Sequence, residues 1–386
     1  MENIITILNS LMAPALFLAG STINFDFAYK VLPMPEIQNV AMPVKIARYK
    51  DYKEYENELK SLVTNSAGKM RYNSDRSSAA GNYPLYWLEI GNSSNPTIFI
   101  ITGLHMTNEW ELPHVVMSFV NKLISADDNQ SAFNKYILSN YHLVIIPMAN
   151  PWGYFADPKG AHHNGRTASV PVSQRITWHR NTNYNTYYGV NLNRNFDIGF
   201  NKYQDLPQAA KPYWNGKDYG IANYFMKPVK GQLKPDALQY DYKGPSPFSE
   251  PETQLIRDLF LEYKPIAFFD WHKMNPWQTN NTSLLPTKYY DQTKVLIQQA
   301  VSRVNYRHGA NIEGTVFMKL ETYADGGPYA LNWGSTKMGA LGFGWETGSN
   351  YPTPVWTDAY MEMIYRSIEW SIKTQNDDDR RNIQQV

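Results

Sequence analysis

The feature that most constrains this chain is a set of short apolar runs of strand length, each ending where glycine or a polar side chain takes over. PTIFIITG, HLVIIPM, IAFFDWH and ALGFGWETG are runs of this kind, and LYWLEIG precedes them. Runs of four to eight apolar residues bounded by turn residues read as buried strands. Between them lie segments with helical apolar spacing: YKDYKEYENELKSLV from Tyr49, about Glu111 to Ser125, SEPETQLIRDLFLEY, and about Trp356 to Lys373. Strands alternating with helices indicate an α/β protein. Ser249 followed by Glu252 predicts a capping box at the start of the third helix.

The remaining segments divide the chain. Residues 1–44 are apolar, broken by Pro14, Pro33, Pro35 and Pro43, and without a clear period, so they read as an arm or attachment segment. Residues 45–375 hold the strand and helix pattern, and 376–386 form a charged tail containing DDDRR. The polar, Gly- and Asn-rich stretch from Ala156 to Asn191 is too long for an ordinary connection, and such loops are usually functional. A second long loop runs from Asp197 to about Ser249.

Composition removes several classes of function. Lys and Arg total 36 against 35 Asp and Glu, a net charge of +1, so no general field attracts nucleic acid or an anionic membrane. With no cysteine, thiolate metal sites, disulfides and cysteine nucleophiles are excluded, leaving His, Asp and Glu as strong metal ligands. The apolar stretch from Leu11 to Gly20 is too short to span a bilayer. Glu2 is the only charge before it and the first lysine is Lys30, so no cleaved signal peptide is expected. The 28 Tyr and 11 Trp suit a surface that handles peptide or sugar.

The chemistry gathers at the strand ends, where open α/β sheets place ligands. PTIFIITG is followed at once by His105 and Glu109. IAFFDWH ends on His272, with Asp270 as an acidic neighbour. Two histidines and a carboxylate can share one zinc ion and leave a fourth position for water, the pattern of a catalytic site. At a third strand end Glu346 emerges into a Gly-flanked turn, where a carboxylate can take the proton of a water that a metal has acidified. Each residue alone has a plainer reading: Glu109 near a helix dipole, a structural strand-end histidine, a surface Arg194. The remaining histidines, His114, His142, His162, His163 and His308, have no partner motif.

Taken together these segments resemble the zinc carboxypeptidases of the carboxypeptidase A and B class. GLHMTNEW, NPWG, VNLNRNFD, GPSPFSEPETQ, FFDWH and GWETG occur in the family's order between about Tyr49 and Lys373, and VNLNRNF and SEPETQ are the most specific. The resemblance implies a mixed, mostly parallel twisted sheet flanked by helices. It implies Zn2+ held by His105, Glu109 and His272, with Glu346 as general base and then proton donor to the leaving amine. Asn193 and Arg194 would grip a terminal carboxylate. Arg180 would polarise the scissile carbonyl, with His179 as its rival, and Tyr323 would close over substrate, with Tyr329 as its rival.

Two departures mark this chain. His105 and Glu109 are separated by three residues where the family has two, and Asn108 stands where the digestive enzymes carry an arginine. With the pair Gly326 and Gly327 as anchor, the position lining the family's side-chain pocket falls near Tyr329. The expected partner is a peptide with a free C-terminus, including a cell-wall stem peptide, with an assembly partner for residues 1–44. The alternatives are a related zinc amidase or deacylase, or a structural component of a phage tail or similar assembly that keeps the fold without activity. The absent signal leaves a virion-associated or extracellular address as the expectation.

Overall fold

A computed structural model describes residues 47–79, 81–106, 109–125, 132–155, 167–169, 189–200, 246–272, 278–281, 329–338 and 340–346, with 302, 304–306, 308–309 and 368 as separate positions. The expected arm at 1–44, the tail at 376–386, the last helix apart from Ile368, and Asn108, His179, Arg180 and Tyr323 lie outside the described residues.

The first helix, α1 (Tyr52–Asn65), begins where Asp51, in extended conformation, accepts a 2.9 Å hydrogen bond from the Glu54 amide. That satisfies one of the helix's orphan N–H groups. Tyr55, Leu59 and Leu62 recur at helical spacing and are its buried face. The strands β1 (Met70–Asn73), β2 (Trp87–Ile90) and β3 (Thr97–Thr102) follow, then α2 (Leu112–Ile124), α3 (Ala132–Asn140), β4 (His142–Ile146) and the short α4 (Pro151–Phe155). Beyond them come β5 (Thr167–Ser169), β6 (Gly189–Asn191), α5 (Pro251–Tyr263), β7 (Ala267–His272), β8 (Gln278–Asn281), α6 (Ala330–Asn332) and β9 (Leu341–Glu346).

Seven strands form one mixed sheet in the order β1-β2-β4-β3-β7-β9-β8. The central four are parallel to one another, and the two flanks are antiparallel. Every residue of β3, β4 and β7 is buried, because helices cover both faces. Ile98, Ile100, Leu143, Ile145, Phe269 and Trp271 point into a core shared with α1 and α2. Their alternates Phe99, Ile101, Val144, Ile146 and Phe268 point into a second core with Leu255, Ile256, Leu259 and Phe260 of α5 and with Trp333. Gly334 lets the turn after α6 sit directly on that face: a Cβ there would lie 2.8 Å from the Phe268 ring and 2.9 Å from Phe260.

Two expectations change. Ser249 does not cap α5; the capping residue by position is Glu250, whose side chain makes no capping bond. Asn195, from the other specific motif, takes that role by accepting from the Glu250 amide at 3.3 Å and from the Thr253 hydroxyl at 2.6 Å. Ser249 is drawn to the same side chain, its hydroxyl accepting from Asn195 Nδ2 at 2.9 Å. The stretch between Ala156 and Asn191, read as loop, contains β5 and β6, which pair antiparallel. Three-residue strands of TAS and GVN carry no apolar period to betray them.

What this architecture does for function is set by topology. The chain leaves β3 for β4 on one side and later returns to β7 on the other. Between the carboxyl ends of β3 and β7 the connections diverge, the position at which open α/β sheets form a ligand crevice.

Candidate active site

Immediately beyond β3 the chain turns at Gly103, whose φ of +79° is readily adopted only by glycine; a Cβ there would strike the Met106 side chain at 2.3 Å. The turn buries Leu104 and Met106 and leaves His105 facing the crevice end of β7. Glu109 is brought back to this turn, its amide donating to the His105 carbonyl at 3.2 Å. It precedes α2 rather than lying in its first turn. That bond brings the two side chains together although three residues separate them.

The result is a compact group. His105 Nδ1 lies 3.4 Å from Glu109 Oε1, and His272 Nδ1 lies 3.2 Å from Glu109 Oε2. The imidazole rings are 4.8 Å apart between centroids. Taking one ligand atom from each of the three residues, all lie within 4.8 Å of one another, and all three residues are buried. Two imidazole nitrogens and one carboxylate are a zinc donor set that leaves a fourth position to solvent or substrate. The residues therefore fit the metal.

Behind the ligands stand groups that orient them. His105 Nε2 lies 3.1 Å from Asn191 Oδ1, which also accepts from the Asn193 amide at 3.2 Å. With the Nε2 proton given to Asn191, Nδ1 keeps its lone pair for a cation. His272 Nε2 lies 3.1 Å from Asp270 Oδ1 and 3.1 Å from Asn193 Nδ2. Asn150, of the NPWG segment, braces the ligand turn by donating to the Leu104 carbonyl at 3.4 Å. Asn191 and Asn150 are residues of this candidate site that sequence reasoning did not single out. Their only signal is membership of motifs quoted for other residues.

The electrostatics are those of a cation site. Burial raises the Glu109 pKa, but the charges of His272 and His105 and the bonds from their rings outweigh it and hold the carboxyl at about 2. For His272 burial pushes the pKa down, and the adjacent Asp270 and Glu109 carboxylates overcome it and hold the ring well above its ordinary value.

The family description "Zinc carboxypeptidase" matches residues 55–341. The chain belongs to the zinc carboxypeptidase family. A carboxypeptidase B from Astacus astacus is 27% identical over 277 residues, covering 69% of this chain and 75% of that relative. A carboxypeptidase B from Helicoverpa zea is 24% identical over 188 residues, covering 47% of this chain and 33% of that protein. Among solved structures, carboxypeptidase A from Helicoverpa armigera superposes with a TM-score of 0.56 at 16% identity, over 96% of this chain and 81% of its own. Thrombin activatable fibrinolysis inhibitor gives 0.56 at 15% identity, over 87% and 75%. These likenesses show the fold, the mixed sheet flanked by helices. The family's cofactor is zinc, and His105, Glu109 and His272 are the group that could hold it among the described residues.

The other expected site residues fall as follows. The register pairs Glu346 with His272 at the same end of the sheet. Asn193 and Arg194 occupy a buried 3-10 turn, Leu192–Arg194, directly after β6. The Asn193 side chain faces inward, Oδ1 accepting from the Ala330 amide at 2.9 Å. The Arg194 guanidinium carbon lies 4.3 Å above the Tyr329 ring.

Proposed function

We propose that this chain hydrolyses the peptide bond next to a free C-terminal carboxylate. The observation that carries the reading is the convergence of His105, Glu109 and His272, buried and from two strand ends, at the sheet's switch point. A zinc ion held there supplies Lewis acidity and brings the pKa of water to about 7. In this reading Glu346 takes a proton from the attacking water and returns it to the leaving amine. Its backbone pairing with His272 supports that role, because it brings the two residues to one level of the sheet. Arg194, with Asn193 beside it, selects the terminal carboxylate through charge-assisted N–H bonds. Arg180 stabilises the charge that develops on the carbonyl oxygen, and Tyr323 closes over the bound peptide. A cell-wall stem peptide is the finer substrate reading, supported by the abundance of tyrosine and asparagine in the polar segments.

The test combines metal analysis with an assay on N-blocked peptides. We expect stoichiometric zinc, release of a single C-terminal amino acid, loss of turnover on chelation and its return with zinc. Glu346→Gln should keep the zinc and lose turnover by about three orders of magnitude or more. Turnover retained in that variant removes Glu346 from the chemistry, and a protein that takes up no zinc removes the enzymatic reading altogether.

A further inference from the structure

An arginine that recognises a carboxylate must hold a planar fork at the end of a long, flexible stem. Two contacts of Arg194 among the described residues bear on the direction of that fork. Its Nη1 donates to the Asn193 carbonyl at 2.8 Å, and its guanidinium carbon lies 4.3 Å over the Tyr329 ring. A stacked ring takes up one face of the guanidinium and none of its five N–H donors.

The ring rests on a rigid seat. The Tyr329 carbonyl accepts from the Trp333 amide at 3.0 Å, starting the turn that holds Ala330, Leu331 and Trp333 in the core. One residue on, the Ala330 amide donates to Asn193 Oδ1 at 2.9 Å. Residues 193–194 are thus tied to 329–330 twice, once through the asparagine amide and once through the stacked guanidinium. The asparagine in turn lies 3.1 Å from the ring of His272. Arg194 is therefore aimed by the same element that fixes the distance to the ligand group.

From this we infer that Tyr329 is a positioning residue for Arg194, setting the direction of its fork toward the substrate's terminal carboxylate. The inference rests on the proposed role of Arg194 and adds to it a residue that acts through the aromatic face alone. Loss of the ring removes one restraint on the direction of the guanidinium. The cost falls on binding of the carboxylate and not on the chemical step.

The experiment uses the zinc-loaded full-length protein with three Tyr329 variants and one Arg194 variant. Hydrolysis of an N-blocked dipeptide gives kcat and KM. Inhibition by an N-acyl amino acid, set against its primary amide, gives an acid-over-amide preference that needs no turnover. Tyr329→Leu is expected to raise KM roughly ten-fold with kcat within about two-fold, and to lower the acid-over-amide preference by a similar factor. Tyr329→Met, which keeps bulk without a ring, should match it and stands in if the leucine variant does not fold. Tyr329→Phe, which keeps the ring without the hydroxyl, should rescue both quantities. Arg194→Ala should abolish the preference in every background. If Arg194→Ala abolishes it while the leucine and methionine variants keep it, the positioning role is wrong and the carboxylate reading stands. A preference that survives Arg194→Ala overturns that reading and this inference with it. Failure of phenylalanine to rescue assigns the effect to the hydroxyl and refutes the role of the ring.

Discussion

Glu252, on the first turn of α5, is 1% exposed, and its carboxyl has one partner among described groups outside its own helix turn, the Ala79 amide at 3.1 Å from Oε1. Its second oxygen, Oε2, is buried without a hydrogen-bond partner. Burial is the main reason its pKa rises from 4.5 to about 8, helped by the neighbouring Glu250 and opposed by the two backbone N–H groups. The folded protein therefore holds Glu252 protonated at neutral pH, whereas the unfolded chain ionises it. A folded pKa above the unfolded one favours the native state fully below about pH 4.5, and that contribution is lost as pH rises toward 8. Linkage between these values gives a loss of about 1 kcal/mol by pH 5, about 3 kcal/mol by pH 7 and about 4 kcal/mol by pH 8. Glu252→Gln keeps the acceptor for Ala79 and cannot ionise in either state, so it should remove this slope. Urea unfolding of both proteins from about pH 4 to pH 8, with the metal condition held fixed, isolates the effect as a difference curve. The difference also cancels the opposite slope of groups such as His114, whose burial lowers its pKa to about 4 and destabilises the fold toward acid. The two proteins should be nearly equal near pH 4, with the glutamine variant more stable by about 3 kcal/mol at pH 7. A constant offset across the range would show that Glu252 ionises alike in both states, and the argument from its burial would be refuted.

Two further outcomes follow from the packing around the site. Asp270→Asn leaves His105, Glu109 and His272 in place but replaces the carboxylate behind His272 Nε2, so zinc affinity measured against a competing chelator should fall roughly 10- to 100-fold; unchanged affinity would make Asp270 a bystander. Asn195→Ala removes a fully buried side chain that donates to the Ser246 carbonyl and the Ser249 hydroxyl and accepts from the Glu250 amide and Thr253. It should cost about 3 kcal/mol in urea unfolding, the sum of a lost cap and newly unsatisfied buried groups, and a loss below about 1 kcal/mol would contradict that accounting.

The parts of this protein that were legible in its sequence are those whose environment is uniform. β3, β4 and β7 are buried on both faces, so each is written mostly in apolar residues, and the two histidines were visible because such a stretch ends beside each of them. β8 is four polar residues, QTNN, at the edge of the sheet, held by backbone pairing to β9; no side-chain period records that pairing. β1 is likewise an edge strand with one buried residue, Met70. The distance between His105 and Glu109 was illegible for another reason. Spacing along a chain says which residues are near, while the backbone bond that makes them converge, from the Glu109 amide to the His105 carbonyl, is invisible in residue types.

The segment VNLNRNF shows what a specific motif is made of. Its three asparagines, two residues apart, serve three different buried partners: Asn191 holds His105, Asn193 reaches His272 and the Ala330 amide, and Asn195 secures the start of α5. An asparagine is required at each because it offers an acceptor and donors on one short, neutral side chain. Leu192 and Arg194 stand between them and Phe196 follows; the leucine and phenylalanine pack the core and the arginine is stacked on Tyr329. Every position thus answers to a contact made elsewhere in the molecule, which is why generic α/β patterning does not produce the string. It is also why His105, His272 and helix α5 are all tied to one stretch of seven consecutive residues, which carries Arg194 as well.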